Sequence, residues 1–323
     1  MPGTMLNVCG WQCCSALPAE MGILQIGSTQ LCCKDYECSQ DDDYLPKEKL
    51  RLWLYIELTD VCPAACPFCS FSSVSRAWGN HVDPARLQQT LQQIVPFVHG
   101  ISITGGEPMT DIPLLEQAVR IVQESFPPNI ELDMVTNGLQ IEKLPHLRGL
   151  ERIATVHISR HAVEDDLNAE LMCWDEAPSA KKLKDVFSSL PDPGIIVMNC
   201  VLQKRGVHDM DSVREYLEMA ARIGAANVSL IGMFKANPFC SVNYVSPAVL
   251  KPEKDPRFTV WNHFHDHEYC QCSSGDYMAA AGYIRYYFRC PGKASDPNVC
   301  RQLVYGADNI LRAGFGNARI IEL

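Results

Sequence analysis

RLWLYIELTDVCPAACPFC, residues 51–69, decides the reading of this chain. Its first half, Arg51 to Thr59, sets Leu54, Ile56 and Leu58 on one face and Tyr55, Glu57 and Thr59 on the other, the period of a β-strand. Its second half places Cys62, Cys66 and Cys69 on a short loop directly after that strand, in a C-x3-C-x2-C spacing. Three thiolates on one loop can ligate three corners of a four-iron cluster and leave the fourth iron open. A structural zinc site uses four protein ligands. An ordinary ferredoxin cluster uses four cysteines. Three cysteines are the pattern expected when a substrate or cofactor completes the coordination.

Outward from this stretch, strand-like and helix-like segments alternate. Further strands are expected at Gly100–Thr104, Ile130–Thr136, Ile153–Ser159, Ile195–Val201 and Asn227–Ile231. Helices are expected from Asp83 (an N-cap followed by Pro84) to Phe97, from Ile112 to Phe126 and from Asp211 to Ile223. About six strand–helix units imply a parallel sheet with right-handed crossovers, whose chemistry sits on loops after the strands' C-terminal ends. The cysteine loop occupies such a position. Beyond Lys235 the pattern changes. Asn237–Pro256 reads as a connection, Gly282–Arg289 as a strand, and Gln302–Arg312 as a hairpin turning at Gly306–Asn309.

The whole-chain properties agree. The 323 residues are 47% hydrophobic and 20% charged, enough to bury a core. A net charge of -10 argues against nucleic acid as a main partner, since that binding depends on clustered Lys and Arg. There is no apolar run of membrane length, and Met1-Pro2-Gly3-Thr4 does not open a secretory leader, so a cytoplasmic protein without membrane partners is expected. Sixteen cysteines in a reducing compartment point to metal binding or catalysis rather than to disulfides.

With Cys62, Cys66, Cys69 and the aromatic Phe68 before the third cysteine, the chain resembles the radical S-adenosylmethionine (SAM) superfamily. A second motif, Thr104-Gly105-Gly106-Glu107-Pro108, follows the next strand; in that family this stretch meets the amino group of SAM. Weaker similarities follow at Val135-Thr136-Asn137-Gly138, Ile158-Ser159, Met198-Asn199 and Lys204–Asp209, in the manner of the branch that includes the molybdenum-cofactor GTP 3′,8-cyclase. That branch tends to carry a lysine where this chain has Val197. The resemblance implies a partial (β/α)6 TIM-like barrel with a [4Fe-4S] cluster on Cys62, Cys66 and Cys69. It implies SAM contacts from Phe68, Gly105, Gly106, Glu107, Pro108, Thr136, Asn137, Ser159 and Asn199, although Thr136, Asn137 and Ser159 can equally be strand-end caps. Arg160 or Arg205 would supply a charge for the SAM carboxylate. Glu57 would either contact substrate or pair with a barrel arginine.

Cys270, Cys272, Cys290 and Cys300 suffice for a second, auxiliary [4Fe-4S] cluster. Many members of the family carry one in a short β-rich C-terminal extension of the SPASM or twitch type, and Gly314–Asn317 is similar to its tail. Zinc on His263, His265 and His267 with a nearby thiolate is the rival reading. Cys173, Cys200 and Cys240 are read as packing. Cys9, Cys13, Cys14, Cys32, Cys33 and Cys38 are read as packing or adventitious thiols, with Cys32, Cys33 and Cys38 alternatively joining the first three or a C-terminal cluster. The expected organisation is an extension over 1–48, the partial barrel over 49–235 and an auxiliary-cluster region over 236–323.

The implied activity is reductive cleavage of SAM to methionine and a 5′-deoxyadenosyl radical, which abstracts hydrogen from a small polar metabolite or nucleotide. A reducing donor such as flavodoxin or ferredoxin would supply the electron. GTP cyclisation itself is not expected, because the Gly-rich tail of that branch is missing. Two alternatives stay open: a peptide-modifying maturase, and a non-catalytic iron–sulfur or zinc protein.

Overall fold

The computed structural model describes residues 21–34, 52–69, 79–234, 237–267, 270–289, 299–300, 302–315 and 318–323. A hairpin of β1 (Met21–Ile26) and β2 (Thr29–Lys34) comes first. The six strands expected from the alternation follow as β3 (Leu52–Glu57), β4 (Val98–Thr104), β5 (Glu131–Thr136), β6 (Thr155–Ser159), β7 (Ile196–Leu202) and β8 (Asn227–Gly232). They pair in parallel and in chain order. The partial (β/α)6 architecture is therefore the one formed, as an open sheet.

Helices α1 (Pro84–Ile94), α2 (Ile112–Ser125), α3 (Asp165–Met172), α4 (Ala180–Phe187) and α5 (Met210–Ile223) make the crossovers. The link from β5 to β6 is made by two 3-10 turns, Ile141–His146 and Leu150–Arg152. Asp83 caps α1 as the sequence indicates, its Oδ1 accepting from the Ala85 and Arg86 amides. The crossover helices bury Leu87, Leu91, Leu115 and Val119 against Leu54, Ile56, Ile101, Ile103 and Leu132 of the sheet. Each such side chain contributes about 1.5–3 kcal/mol by leaving water. The opposite face carries Trp53 and Tyr55 of β3, Ser102 of β4, Asp133 of β5 and His157 of β6, all buried. Burial of both faces is the condition for a parallel sheet.

After β8 come α6 (Pro238–Asn243), β9 (Phe258–His267), β10 (Cys270–Ala279), β11 (Gly282–Arg289), β12 (Val299–Cys300), β13 (Gln302–Tyr305) and β14 (Leu311–Arg312). The C-terminal part is β-rich, as expected, and it extends the barrel sheet on both sides. β11 lies parallel to β8, with β10 and β9 beyond it. β13 lies parallel to β3, with β14 outside it. The expected hairpin between Gln302 and Arg312 is present, with Val304 opposite Arg312.

The β1–β2 hairpin, with β12, forms a separate three-stranded sheet that the sequence reading did not anticipate. Chain ends tie it down: the Ser28 amide donates to the Glu322 carbonyl at 2.9 Å and the Glu322 amide to Thr29 Oγ1 at 2.8 Å.

Gly100 of β4 is required by its neighbour. A Cβ there would stand 2.2 Å from Trp53 Cζ3, and the indole is fixed by a 2.9 Å bond from its Nε1 to Ser102 Oγ. Gly100→Ala should therefore lower unfolding stability by about 1–3 kcal/mol through overpacking. Urea denaturation followed by tryptophan fluorescence measures this; an unchanged midpoint would show that the indole can move aside.

Candidate functional site

The cysteine loop begins where β3 ends, and the Gly105–Pro108 turn begins where β4 ends. The two segments are bonded backbone to backbone. The Gly106 amide donates to the Thr59 carbonyl at 2.6 Å and the Glu107 amide to the Val61 carbonyl at 2.8 Å. Only glycine permits this approach: a Cβ on Gly105 would meet Thr59 O at 2.4 Å, and one on Gly106 would meet Val61 O at 2.2 Å. Gly105 also adopts φ +132°, a region that side chains disfavour. The first role of the glycine pair is thus to seat the segment leading into Cys62.

Glu107 extends the same anchor to the next strand. Its carboxylate is fully buried and accepts from the Met109 amide (2.9 Å), Thr136 Oγ1 (2.7 Å) and the Asn137 amide (2.5 Å). Burial pushes this carboxyl up to about 7, against the three donors that favour its anion. The side chain sequence reading placed towards SAM is therefore enclosed in this structure and staples the β4 loop to the β5 loop. Pro108 starts the short helical turn that follows.

The loop itself is held from three further directions. The Ala65 amide and the Cys66 thiol both reach the Met172 carbonyl at the end of α3, at 3.0 and 3.7 Å. Asn237 Nδ2 donates to the Pro67 carbonyl at 3.0 Å. Phe68 packs edge-on against the His161 ring, with centroids 4.8 Å apart. His161 is buried and pushed down to about 3 by burial, so it stays neutral and accepts from the Val201 amide. Met172 and Asn237, with Trp174 packed beside Cys62 and Ala64, are supports that sequence reading did not identify, since nothing in their local spacing links them to the loop.

Asn137 meets the first thiol, its Nδ2 standing 3.5 Å from Cys62 Sγ. Burial raises Cys62 to about 11 and Cys66 to about 12, and the neighbouring thiolates add to both shifts. These thiols therefore keep their protons until a counter-charge arrives, and three soft donors whose anions would repel are the set a cationic iron–sulfur group relieves. Among the described residues no three His, Cys, Asp or Glu side chains already stand at the spacing of a bound ion. The three thiols nonetheless sit within each other's electrostatic range, and the donor chemistry fits.

Ser159 lies half-buried at the end of β6, in register with Asn199 of β7, which in turn is in register with Ser229 of β8. Thr136 Oγ1 is engaged with Glu107 and also receives the Gly138 amide. The charge expected from Arg160 or Arg205 is not delivered to this region. The Arg160 guanidinium is buried and bonded to the Val163 carbonyl (2.6 Å), Asp165 (2.7 Å) and the Pro178 carbonyl (3.2 Å). Arg205 pairs with Glu170. Glu57 is half-buried and raised to about 7 by desolvation, which the charge of Arg312 opposes. Arg312 itself is bonded to Asp308, with Nη1 2.9 Å from Oδ1.

Cys270 and Cys272 begin β10 in the large sheet, while Cys300 is buried on β12 in the small one, in register with Cys33 of β2. Cys290, Gly316 and Asn317 lie outside the described residues, as do Cys9, Cys13, Cys14 and Cys38. His263, His265 and His267 fall on β9, and their side chains are likewise outside what is described. Cys200 and Cys240 are fully buried, as expected of packing thiols; Cys173 is exposed. Among the described residues no helix is long and apolar enough to cross a membrane.

A family model for the radical SAM superfamily matches residues 56–235. Among solved structures, SuiB of Streptococcus suis bound to S-adenosylmethionine is similar at a TM-score of 0.54 and 15% identity, over 84% of this chain and 63% of that one. SuiB bound to precursor peptide SuiA gives 0.48 and 20%, over 61% and 43%. A radical SAM methyltransferase from Sphaerobacter thermophilus gives 0.44 and 16%, over 71% and 63%. The likeness at 0.54 supports the fold. This chain spans 63% or less of the length of each of these three structures.

The enclosure of Glu107 has a measurable consequence. Glu107→Gln keeps the volume but puts an NH2 in place of one carboxylate oxygen, so that at least one of the three donors faces another donor. It should cost about 1–3 kcal/mol of unfolding stability. Chemical denaturation of the cluster-free chain measures this, and full stability would show that the carboxylate is not the staple described.

Proposed function

This chain belongs to the radical SAM superfamily, and on that premise we propose that it reductively cleaves SAM at a [4Fe-4S] cluster held by Cys62, Cys66 and Cys69. The observation that carries the reading is the seating of the three-thiol loop on the Gly105–Pro108 turn. When bound, the cluster supplies the electron that breaks the C5′–S bond of the sulfonium and so yields a 5′-deoxyadenosyl radical. The chain's own residues do the remaining work. Asn137 donates towards Cys62 and favours its anion. Phe68, Asn237 and the end of α3 fix the loop. Gly105, Gly106 and Ser159 lie at the C-terminal ends of their strands, with Asn199 beside Ser159 in mid-β7, where the SAM amino acid and ribose would lie.

The substrate is proposed to be a small polar metabolite or nucleotide, oxidised or rearranged in a biosynthetic step. Buried polar groups on the inner face of the sheet, among them Ser102, Asp133, His157, Asn199 and Ser229, favour a polar occupant. A small reducing protein such as a flavodoxin or ferredoxin is the proposed electron donor. The units are 49–235 for SAM cleavage and 236–323 for an auxiliary [4Fe-4S] site drawing on Cys270, Cys272, Cys290 and Cys300. The Cys33–Cys300 register supports adding a thiol of the 1–48 segment to that set.

Anaerobically reconstituted protein, dithionite and SAM should yield 5′-deoxyadenosine. Replacing Cys62, Cys66 and Cys69 by Ala should abolish the product, and absence of product from wild-type protein with a full cluster would overturn the enzyme reading. Iron analysis addresses the second site: about eight iron per chain is expected, and about four would exclude the auxiliary cluster.

A further inference from the structure

Some of the buried polar groups on the inner face of the sheet are also bonded into a chain that ends on Asn199. Thr155 Oγ1 is 2.6 Å from Asp133 Oδ1 and 3.1 Å from His157 Nε2. The other ring nitrogen, His157 Nδ1, is 3.1 Å from Asn199 Oδ1. Asp133, His157 and Asn199 are each less than a tenth exposed. We propose that Asp133, Thr155 and His157 act as a proton-holding relay that fixes the orientation of the Asn199 amide, and thereby position the polar group of SAM that Asn199 meets. The proposal rests on the reading that Asn199 contacts SAM.

The argument is an inventory of protons. Asn199 presents its carbonyl oxygen to the ring, so His157 must carry its hydrogen on Nδ1. Nε2 is then an acceptor and needs the Thr155 hydroxyl as its donor. That hydroxyl has one hydrogen, so its oxygen must accept from Asp133, which requires a protonated carboxyl. An imidazolium facing an ionised Asp133 satisfies the same contacts with the proton moved along the chain. Both arrangements hold one shared proton, and both aim the Asn199 NH2 away from the ring. With that proton gone, either the Asn199 oxygen faces a lone pair on Nδ1 or Thr155 has no hydrogen for both neighbours. The amide must then turn or lose its partner.

The surroundings place that loss near neutral pH. Burial and the nearby Glu131 push Asp133 up to about 7, against Thr155 and the Arg289 charge. Burial and Arg289 push His157 down to about 4, against its bond to Asn199. Glu131 on β5 and Arg289 on β11, with the Asp133–His157 pair itself at 3.9 Å, are the charged groups acting on the relay. Below about pH 7 the shared proton is therefore present, and above it the proton is lost. A second observation marks this row as a ligand surface. Ser229, in register with Asn199, is fully buried, and its Oγ has no hydrogen-bond partner among the described residues. A polar atom so placed calls for a bound group.

The test uses the full chain with its cluster, kept anaerobic, with SAM as the probe. Equilibrium dialysis should show SAM binding weakening roughly three- to tenfold as pH rises from about 6 to about 8.5, the size of one lost hydrogen bond. Asp133→Asn supplies a permanent N–H to Thr155, so its affinity should stay flat over the same range. That comparison also separates the relay from the titration of SAM itself. Isotope-labelled histidine, with His157→Gln to assign the resonance, should show the proton of His157 on Nδ1 at pH 6 and in Asp133→Asn at every pH. A wild-type pH profile matching that of Asp133→Asn, or an Nδ1 that carries no proton at pH 6, would overturn the relay. Asn199→Ala should weaken SAM binding at every pH. If it binds SAM as tightly as wild type, the SAM contact is wrong, whatever the histidine resonance shows.

Discussion

The site depends on the backbone bonds between the Thr59–Val61 segment and Gly106–Glu107. A loop carrying three thiols cannot hold itself in place, because it has no regular structure of its own. Two amides from the next strand's turn give it a fixed entry, and the absence of a Cβ on Gly105 and Gly106 allows the approach. The Glu107 carboxylate then carries the same restraint on to Thr136 and Asn137, so three successive strand ends behave as one rigid rim.

That restraint sets the electrostatics. Asn137 is held by its own amide on Glu107, and its side chain is thereby aimed at Cys62. A buried carboxylate close to buried thiols raises the cost of every anion in the rim. The protein leaves that cost in place at the loop instead of pairing it with arginine. Arg160 and Arg205 are spent on Asp165 and Glu170. Thiols held protonated by burial release their protons when a cationic group binds, so the counter-charge comes from that group and not from an arginine.

Below the rim, the inner face of the sheet is polar where most parallel sheets are apolar. Asp133 of β5, Thr155 and His157 of β6 and Asn199 of β7 lie on three successive strands, and each is bonded to the next. Such a network is tolerated in a core only when its members are hydrogen-bonded, which ties the ionisation of one residue to the orientation of another. The C-terminal strands add to this interior from both sides, β11 bringing Arg289 and β13 closing against β3.

The alternation of strands and helices, the three-cysteine loop and the Gly-Gly-Glu-Pro turn were legible because each is local. A strand period, an N-cap and a ligand spacing are fixed by residues a few positions apart, and Asp83, β3 to β8 and the Gln302–Arg312 hairpin follow from them. The β1–β2 hairpin is a local pairing about Gly27-Ser28, and what was not legible is where it docks. Its partners are Cys300 and the chain end at Glu322, more than 250 residues away, and no local pattern encodes such a pairing. The same holds for the direction of a carboxylate. The sequence by itself determined that Glu107 follows two glycines at a strand end. Only the tertiary structure decided that Thr136 and Asn137 of the next strand capture it, because burial makes a carboxylate seek donors, and the nearest donors are on another strand.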